Sequence, residues 1–369
     1  MKERIEYIDA MRGLAMLMVV VAHICIGSFG NHPIFDTYIN QAMQLPLFFL
    51  ISGFFAPSML KKPMTKIVMD KFVYLVVPAL VMLGLWCLLS DRNFISALYA
   101  SMKYGYWFTL VLFIFILIYL VVEQTMMWLN FTHKCRGWLH LIVGVGVSYF
   151  ALVVKNYYSD YQIVGLLSIV EYYNYTYYVV GALLFARRDM LFKMLSNKNL
   201  IGWLILLYTV MQISVALYGI VWLRSGGGIY NLVMHTASLL IIWVLFHRYP
   251  ALSASSAIGR LLSFVGRRSI DVYFIHYFFL PDLHIWGDYF LSIDAQLIEY
   301  LCAIILSIPL IYISLGIGCI IRLSPLTSRL LLGIIPSRKV VALEFNCHIV
   351  ILSMKSINGL LVNLLIQLI

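Results

Sequence analysis

The sequence predicts an all-α protein, a polytopic transmembrane helical bundle of about ten spans with both ends of the core in the cytoplasm. Three observations point there. Hydrophobic residues make up 63% of the 369-residue chain and charged residues 11%, with a mean hydropathy of +0.93; a soluble domain is about a quarter charged. Apolar runs of about 20 residues, the length that spans a bilayer, recur from one end to the other. Basic residues sort into alternate loops: twenty Lys and Arg fall in one set, and only Arg92, Lys103, Lys155 and Arg224 in the other. The richer set belongs on the cytoplasmic side. The net charge of +10 therefore reads as membrane orientation, not as a nucleic-acid footprint.

The first helix, Ile8–Ile26, is apolar but contains Asp9, Arg12 and His23. Ionisable groups at membrane depth are costly and usually face a bundle interior or a wet cavity. Eleven steps of about 100° separate Arg12 from His23, which puts both on one helix face, about 16 Å apart along the axis. Asp9 lies one turn before Arg12, so the three form one candidate site. A snorkelling arginine and a hydrogen-bonded core histidine are the plainer readings of each residue taken singly.

The remaining spans are read at Ile39–Phe55, Phe72–Leu89, Trp107–Met127, Trp138–Val154, Ile163–Phe185, Leu200–Leu223, Ile229–Phe246, Ser269–Leu291 and Leu297–Ile321. Each is an apolar run bounded by loops that alternate in charge. Ser269–Leu291 is the weakest, because Asp271, His276, Pro281, Asp282, His284 and Asp288 interrupt it; it is expected to be short, broken or ended near Leu280. The tyrosine-rich Glu171–Tyr178 suits sugar stacking, an interfacial aromatic belt or ordinary packing. After Arg322, SPLTSRLLLGIIPSRK is a basic amphipathic segment suited to the membrane surface. The last residues, 334–369, form a tail that is either interfacial or an extra apolar helix. The six cysteines are scattered without a C-x-x-C pair, so neither a metal nor a disulfide framework is expected. The first apolar run lacks a small-residue cleavage site, so it does not read as a cleavable signal peptide.

Arg12-x10-His23 within IDAMRGLAMLMVVVAH resembles the first helix of the membrane-bound acyltransferase 3 family. Further segments are similar to that family's, in the family's order, from Asp9 to Gly333. The second helix holds Phe48-Phe49-Leu50-Ile51-Ser52-Gly53-Phe54, whose Ser-Gly step also suits close helix packing. The fourth opens Tyr106-Trp107-Phe108-Thr109-Leu110. The ninth reads Ser269-Ile-Asp271-Val-Tyr273-Phe-Ile-His276, in which Tyr273 and His276 share a face. One segment departs: Lys71 and Tyr74 stand where the family often has arginines, and lysine lacks the bidentate fork that grips phosphate.

The resemblance implies an O-acetyltransferase-like enzyme, its membrane domain covering residues 1–333. The expected donor is cytoplasmic acyl-CoA, acetyl-CoA in the family's usual manner; the expected acceptor is a hydroxyl on a glycan or lipid-linked sugar. The implied setting is a bacterial inner membrane, with membrane lipid as a partner, no metal, no nucleic acid, and homo-oligomerisation left open. His23 is implied as general base or transient acyl carrier, Arg12 as a holder of cofactor phosphate or thioester, and Asp9 as the group orienting Arg12. Lys71 and Trp107 join Arg12 in cofactor binding, and Ser52, Tyr273 and His276 contact substrate. The rival reading is a transporter or flippase, since intramembrane Asp/Arg/His sets also form proton relays. That class commonly shows inverted repeats with paired broken helices, and no repeat is evident here.

Overall fold

The computed structural model describes residues 5–33, 43–195, 197–218, 228–253 and 255–334. Among the described residues every regular element is helical and none is a strand. Among the described residues five helices are long and apolar enough to cross a membrane: Glu6–Phe29, Met64–Leu89, Trp107–Trp128, Cys135–Tyr157 and Gln296–Ile321. Three shorter apolar helices, Leu45–Met59, Asn199–Met211 and Val233–Arg248, accompany them.

Five is fewer than the ten expected, and two of the differences have a local cause. Ile163–Phe185 is not one helix. A helix Gln162–Leu167 stops at Ser168, which is left-handed (φ 50°); a 3-10 turn Ile169–Asn174 follows, and only Tyr175–Ala186 resumes α-helix. Ser269–Leu291 also breaks. Its helix ends at Ile275, passes through a 3-10 turn His276–Phe279, and restarts at His284–Ser292 after a non-helical link. Pro281 sits in that link, where its missing N–H and fixed φ oppose continuation. Part of the Ile39–Phe55 reading, the end of the Leu200–Leu223 reading and the tail from residue 335 lie outside the described residues.

Seven helices build the centre: α1 (Glu6–His23), α2 (Leu45–Phe54), α3 (Trp107–Trp128), α4 (Tyr175–Ala186), α5 (Ala257–Arg267), α6 (Ser269–Ile275) and α7 (Gln296–Ile321). The hub is α1, packed most extensively against α5 and also touching α2, α6 and α7. It is sheathed on most sides, with Ile8, Met11, Ala15, Val19 and Val20 buried. Backbone contact at two crossings requires glycine. A Cβ on Gly13 would overlap the Leu262 carbonyl of α5, and one on Gly53 of α2 would overlap the Tyr178 carbonyl of α4. Small residues at such crossings let helices associate where apolar burial gives no driving force, because lipid is as apolar as the partner. Two residues of the tyrosine-rich run pack in the core: Tyr175 and Tyr178 are buried, stack at 6.0 Å between centroids, and surround Phe115 with Phe49.

Candidate functional site

The winding of α1 changes just after His23. Residues Ile24–Phe29 form a π-helix that closes at Gly30 in the left-handed region (φ 79°). Such wider turns recur at functional positions because they re-aim a side chain without ending the helix. Arg12, Met16, Val19 and His23 descend one face of α1 and line a cavity of about 470 Å³, within the usual range for a small-molecule site.

The two ends of the cavity differ. At one end the Arg12 guanidinium lies over the Phe55 ring, 5.3 Å from its centroid, with Asp9 Oδ1 at 3.8 Å from the guanidinium. Lys71 lies over Tyr74 (5.7 Å) on the same cavity wall, and Arg267 lines it beside Gly266, whose backbone meets Asp9. Three cations thus share this end. At the other end stand His23, Gly105, Trp107 and Tyr273, and the Tyr273 hydroxyl donates to the Gly105 carbonyl (2.9 Å). Phe48, Leu112 and Ile116 add apolar wall, and Ser52 lines the cavity too.

His23 is held from two sides. Its Nδ1 lies 2.8 Å from Nε2 of His276, its Nε2 lies 2.7 Å from the Tyr277 hydroxyl, and its ring meets that of His276 edge to edge, 15° from coplanar, with centroids 5.1 Å apart. His276, fully buried, contacts the Val272 carbonyl through Nδ1 (2.7 Å). A carbonyl only accepts, so His276 Nδ1 bears the proton. With both rings neutral, His276 Nε2 then accepts from His23 Nδ1–H, which leaves the His23 Nε2 lone pair to accept from the Tyr277 O–H. One tautomer of each ring satisfies every contact. The result is an imidazole whose basic nitrogen is fixed in place, the arrangement that proton abstraction needs.

The surroundings hold this geometry. Asp271, buried in α6, accepts from Arg322 at the end of α7 through both oxygens (Nε to Oδ2 3.0 Å, Nη2 to Oδ1 2.6 Å), and Arg268 Nη1 lies 3.9 Å from Oδ2. This fork ties the helix before His276 to α7. Gly105 belongs to a run of positive φ angles (Lys103 41°, Tyr104 48°, Gly105 95°). The buried Lys103 ammonium anchors the run by donating to the carbonyls of Ala100 (3.1 Å) and Gly165 (2.6 Å) and to Ser168 Oγ (2.8 Å). Burial pulls Lys103 down to about 8.

Of the residues singled out in the sequence, Arg12, His23, Ser52, Lys71, Trp107 and Tyr273 all line the one cavity. His276 lies behind His23 rather than on the cavity wall, and Asp9 reaches the site through Arg12. Sequence reasoning passed over Tyr277, Gly105, Arg267 and the Asp271–Arg322 pair. Arg267 was visible as a loop cation, but nothing in the sequence aims it at the cavity.

A family description, acyltransferase domain, matches residues 5–316. No curated protein and no solved structure matches the chain. The match covers most of the sequence, including Arg12, His23 and His276, and together with the apolar helices it shows that the chain belongs to the acyltransferase 3 family of membrane proteins.

Proposed function

We propose that the protein moves an acyl group, acetyl in the simplest case, from cytoplasmic acyl-CoA to a hydroxyl of a glycan or lipid-linked sugar in the inner membrane of a bacterium. The observation that carries this reading is a single cavity with Arg12, Lys71 and Arg267 at one end and the fixed His23 base at the other. Coenzyme A has matching ends, a cluster of phosphates and a thioester joined by a pantetheine arm. The rise of α1 places the Arg12 and His23 levels about 16 Å apart, of the order of that arm extended. Cationic side chains raise the local concentration of an anionic ligand, and Arg12 can hold a phosphate oxygen at two points. Trp107 and Tyr273 wall the thioester end, and Ser52 lies along the arm.

In this reading the attacking hydroxyl gives its proton to His23 Nε2 as its oxygen attacks the thioester carbonyl. The carbon–sulfur bond breaks, and the imidazolium returns the proton to the departing thiolate. Positioned acid–base groups of this kind contribute about 10² to 10⁴ in rate. His276 keeps Nδ1 protonated so that Nε2 stays basic. The cytoplasmic side is assigned from the basic loops, which puts Arg12 at the cytoplasmic end of α1.

The test uses membranes holding the protein and radiolabelled acetyl-CoA. Label is expected to pass to a glycan or lipid fraction, and His23→Gln, which keeps hydrogen bonding without basicity, is expected to lose this transfer while still binding acetyl-CoA. Binding is expected to weaken as salt rises and to weaken further in Arg12→Ala. Normal transfer by His23→Gln at normal protein level refutes the mechanism. Passage of a sugar-lipid across the membrane with no transfer of label supports the transporter reading instead.

A further inference from the structure

The Tyr277 hydroxyl occupies the place next to His23 Nε2 that an acceptor hydroxyl needs. Tyr277, His23 and His276 form a complete series: an O–H on a base nitrogen at 2.7 Å, and the base held by a third group at 2.8 Å. A nucleophile within hydrogen-bond reach of a base, with the base oriented by another residue, is the signature of covalent catalysis, and tyrosine is among the side chains that perform it. Resting on the acyl-transfer reading above, we propose that Tyr277 carries the acyl group between donor and acceptor as an aryl ester.

A second observation supports this independently of the hydrogen bonds. Gly105 lines the cavity, and a Cβ at this position would overlap the ring and hydroxyl of Tyr277. The phenol oxygen fills the place of the absent side chain, against the backbone of a residue that lines the cavity. This contact is held in place, because the Gly105 carbonyl is bonded by Tyr273 and the backbone before it is pinned by Lys103. Tyr277 itself stands in the 3-10 turn that follows the break in helix after Ile275, and it is only half buried. Its oxygen thus abuts two residues of the cavity wall, Gly105 and His23.

The chemistry balances in two steps. In the first, Tyr277 Oη gives its proton to His23 Nε2 and attacks the thioester carbonyl. The Oη–acyl bond forms, the carbon–sulfur bond breaks, and the coenzyme A thiolate takes the proton from His23. In the second, the acceptor hydroxyl gives its proton to the same nitrogen and its oxygen attacks the aryl ester. The Oη–acyl bond breaks, and the phenolate recovers the proton. A phenol ionises near pH 10 and a thiol near 8.5, so phenolate remains a far better leaving group than a sugar alkoxide. The acyl group stays activated while it waits on Tyr277. The coenzyme then departs before the acceptor arrives, so the two need not occupy the site together.

The test is direct. Purified protein is incubated with acetyl-CoA and no acceptor, released thiol is titrated, and the protein is digested and mapped by mass spectrometry. The expected result is one equivalent of thiol and one acetyl group on the peptide at Tyr277, discharged when acceptor is added. Tyr277→Phe is expected to lose the label and at least about 10²-fold in acceptor acylation, while still binding acetyl-CoA. Acylation by Tyr277→Phe within about twofold of wild type overturns the proposal, as does an acetyl group mapped to His23 instead. Should the variant not fold, the wild-type peptide map decides alone. Wild-type turnover without any acyl-enzyme overturns the carrier and leaves the acyltransferase reading intact; absence of turnover with every acyl-CoA overturns the reading itself.

Discussion

Replacing His276 by leucine isolates the group that fixes the His23 tautomer. The substitution removes the acceptor of the 2.8 Å contact and leaves His23 Nδ1–H buried without a partner. An unsatisfied buried donor costs about 1–3 kcal/mol. That cost is relieved if the proton moves to Nε2, but then the base nitrogen toward Tyr277 is lost. Either way the reactive form becomes scarcer by that energy, and at about 1.4 kcal/mol per tenfold in rate kcat falls by about 5- to 150-fold. The KM for acetyl-CoA stays near wild type, because His276 does not line the cavity that receives the coenzyme. His276→Gln restores part of the rate, since its amide oxygen can accept from His23 while its NH2 donates to Val272. The assay is steady-state thiol release in nanodiscs across acetyl-CoA concentrations. A leucine variant with unchanged kcat, or one that raises KM alone, refutes the positioning role.

Two further outcomes are expected. Gly53→Leu forces a side chain into the Tyr178 carbonyl and lowers stability by about 1–3 kcal/mol or more, read as a lower Tm in detergent, with Gly53→Ala intermediate; an unchanged melt for the leucine variant would remove the crossing as a stabilising contact. Reporter fusions after Lys71, Arg136, Arg188 and Arg268 report cytoplasm, and those after Asn31 and Tyr157 the outside. A reversed result at Arg188 or Arg268 breaks the ten-span arrangement inferred from loop charge.

Some of this was legible in residues and some was not. Helical class follows from composition, and the shared face of Arg12 and His23 follows from a fixed rise and turn, so both survive into the structure without help from distant residues. The pairing of Ser52-Gly53 with a close helix partner was also readable, because only small side chains permit it. The break at Ser168 was hidden, since a left-handed serine carries no glycine or proline to announce it, whereas Pro281 did mark the weakness of Ser269–Leu291. Tyr277 was invisible for a different reason. It is one of 25 tyrosines, and its meaning comes from a contact with a residue 254 positions away. The direction of the proton chain likewise needs Val272 to be seen accepting from His276, which no spacing rule gives.

The position of α1 has a consequence for synthesis. It leaves the ribosome long before its most extensive partner, α5, which begins at Ala257, and another, α7, which begins at Gln296. At translation rates of about 5–20 residues per second, α1 waits in the bilayer for more than ten seconds before either exists. During that interval Asp9 lacks the Gly266 backbone of α5 that later packs against it. The pairing of Asp9 with Arg12 within one turn of the same helix lets each charge offset the other from the start, so the helix brings its own counter-ion. The pair that later borders the cavity thus first serves as a permit for insertion, and a substitution at Asp9 should be felt in how much protein reaches the membrane as well as in what the protein does there.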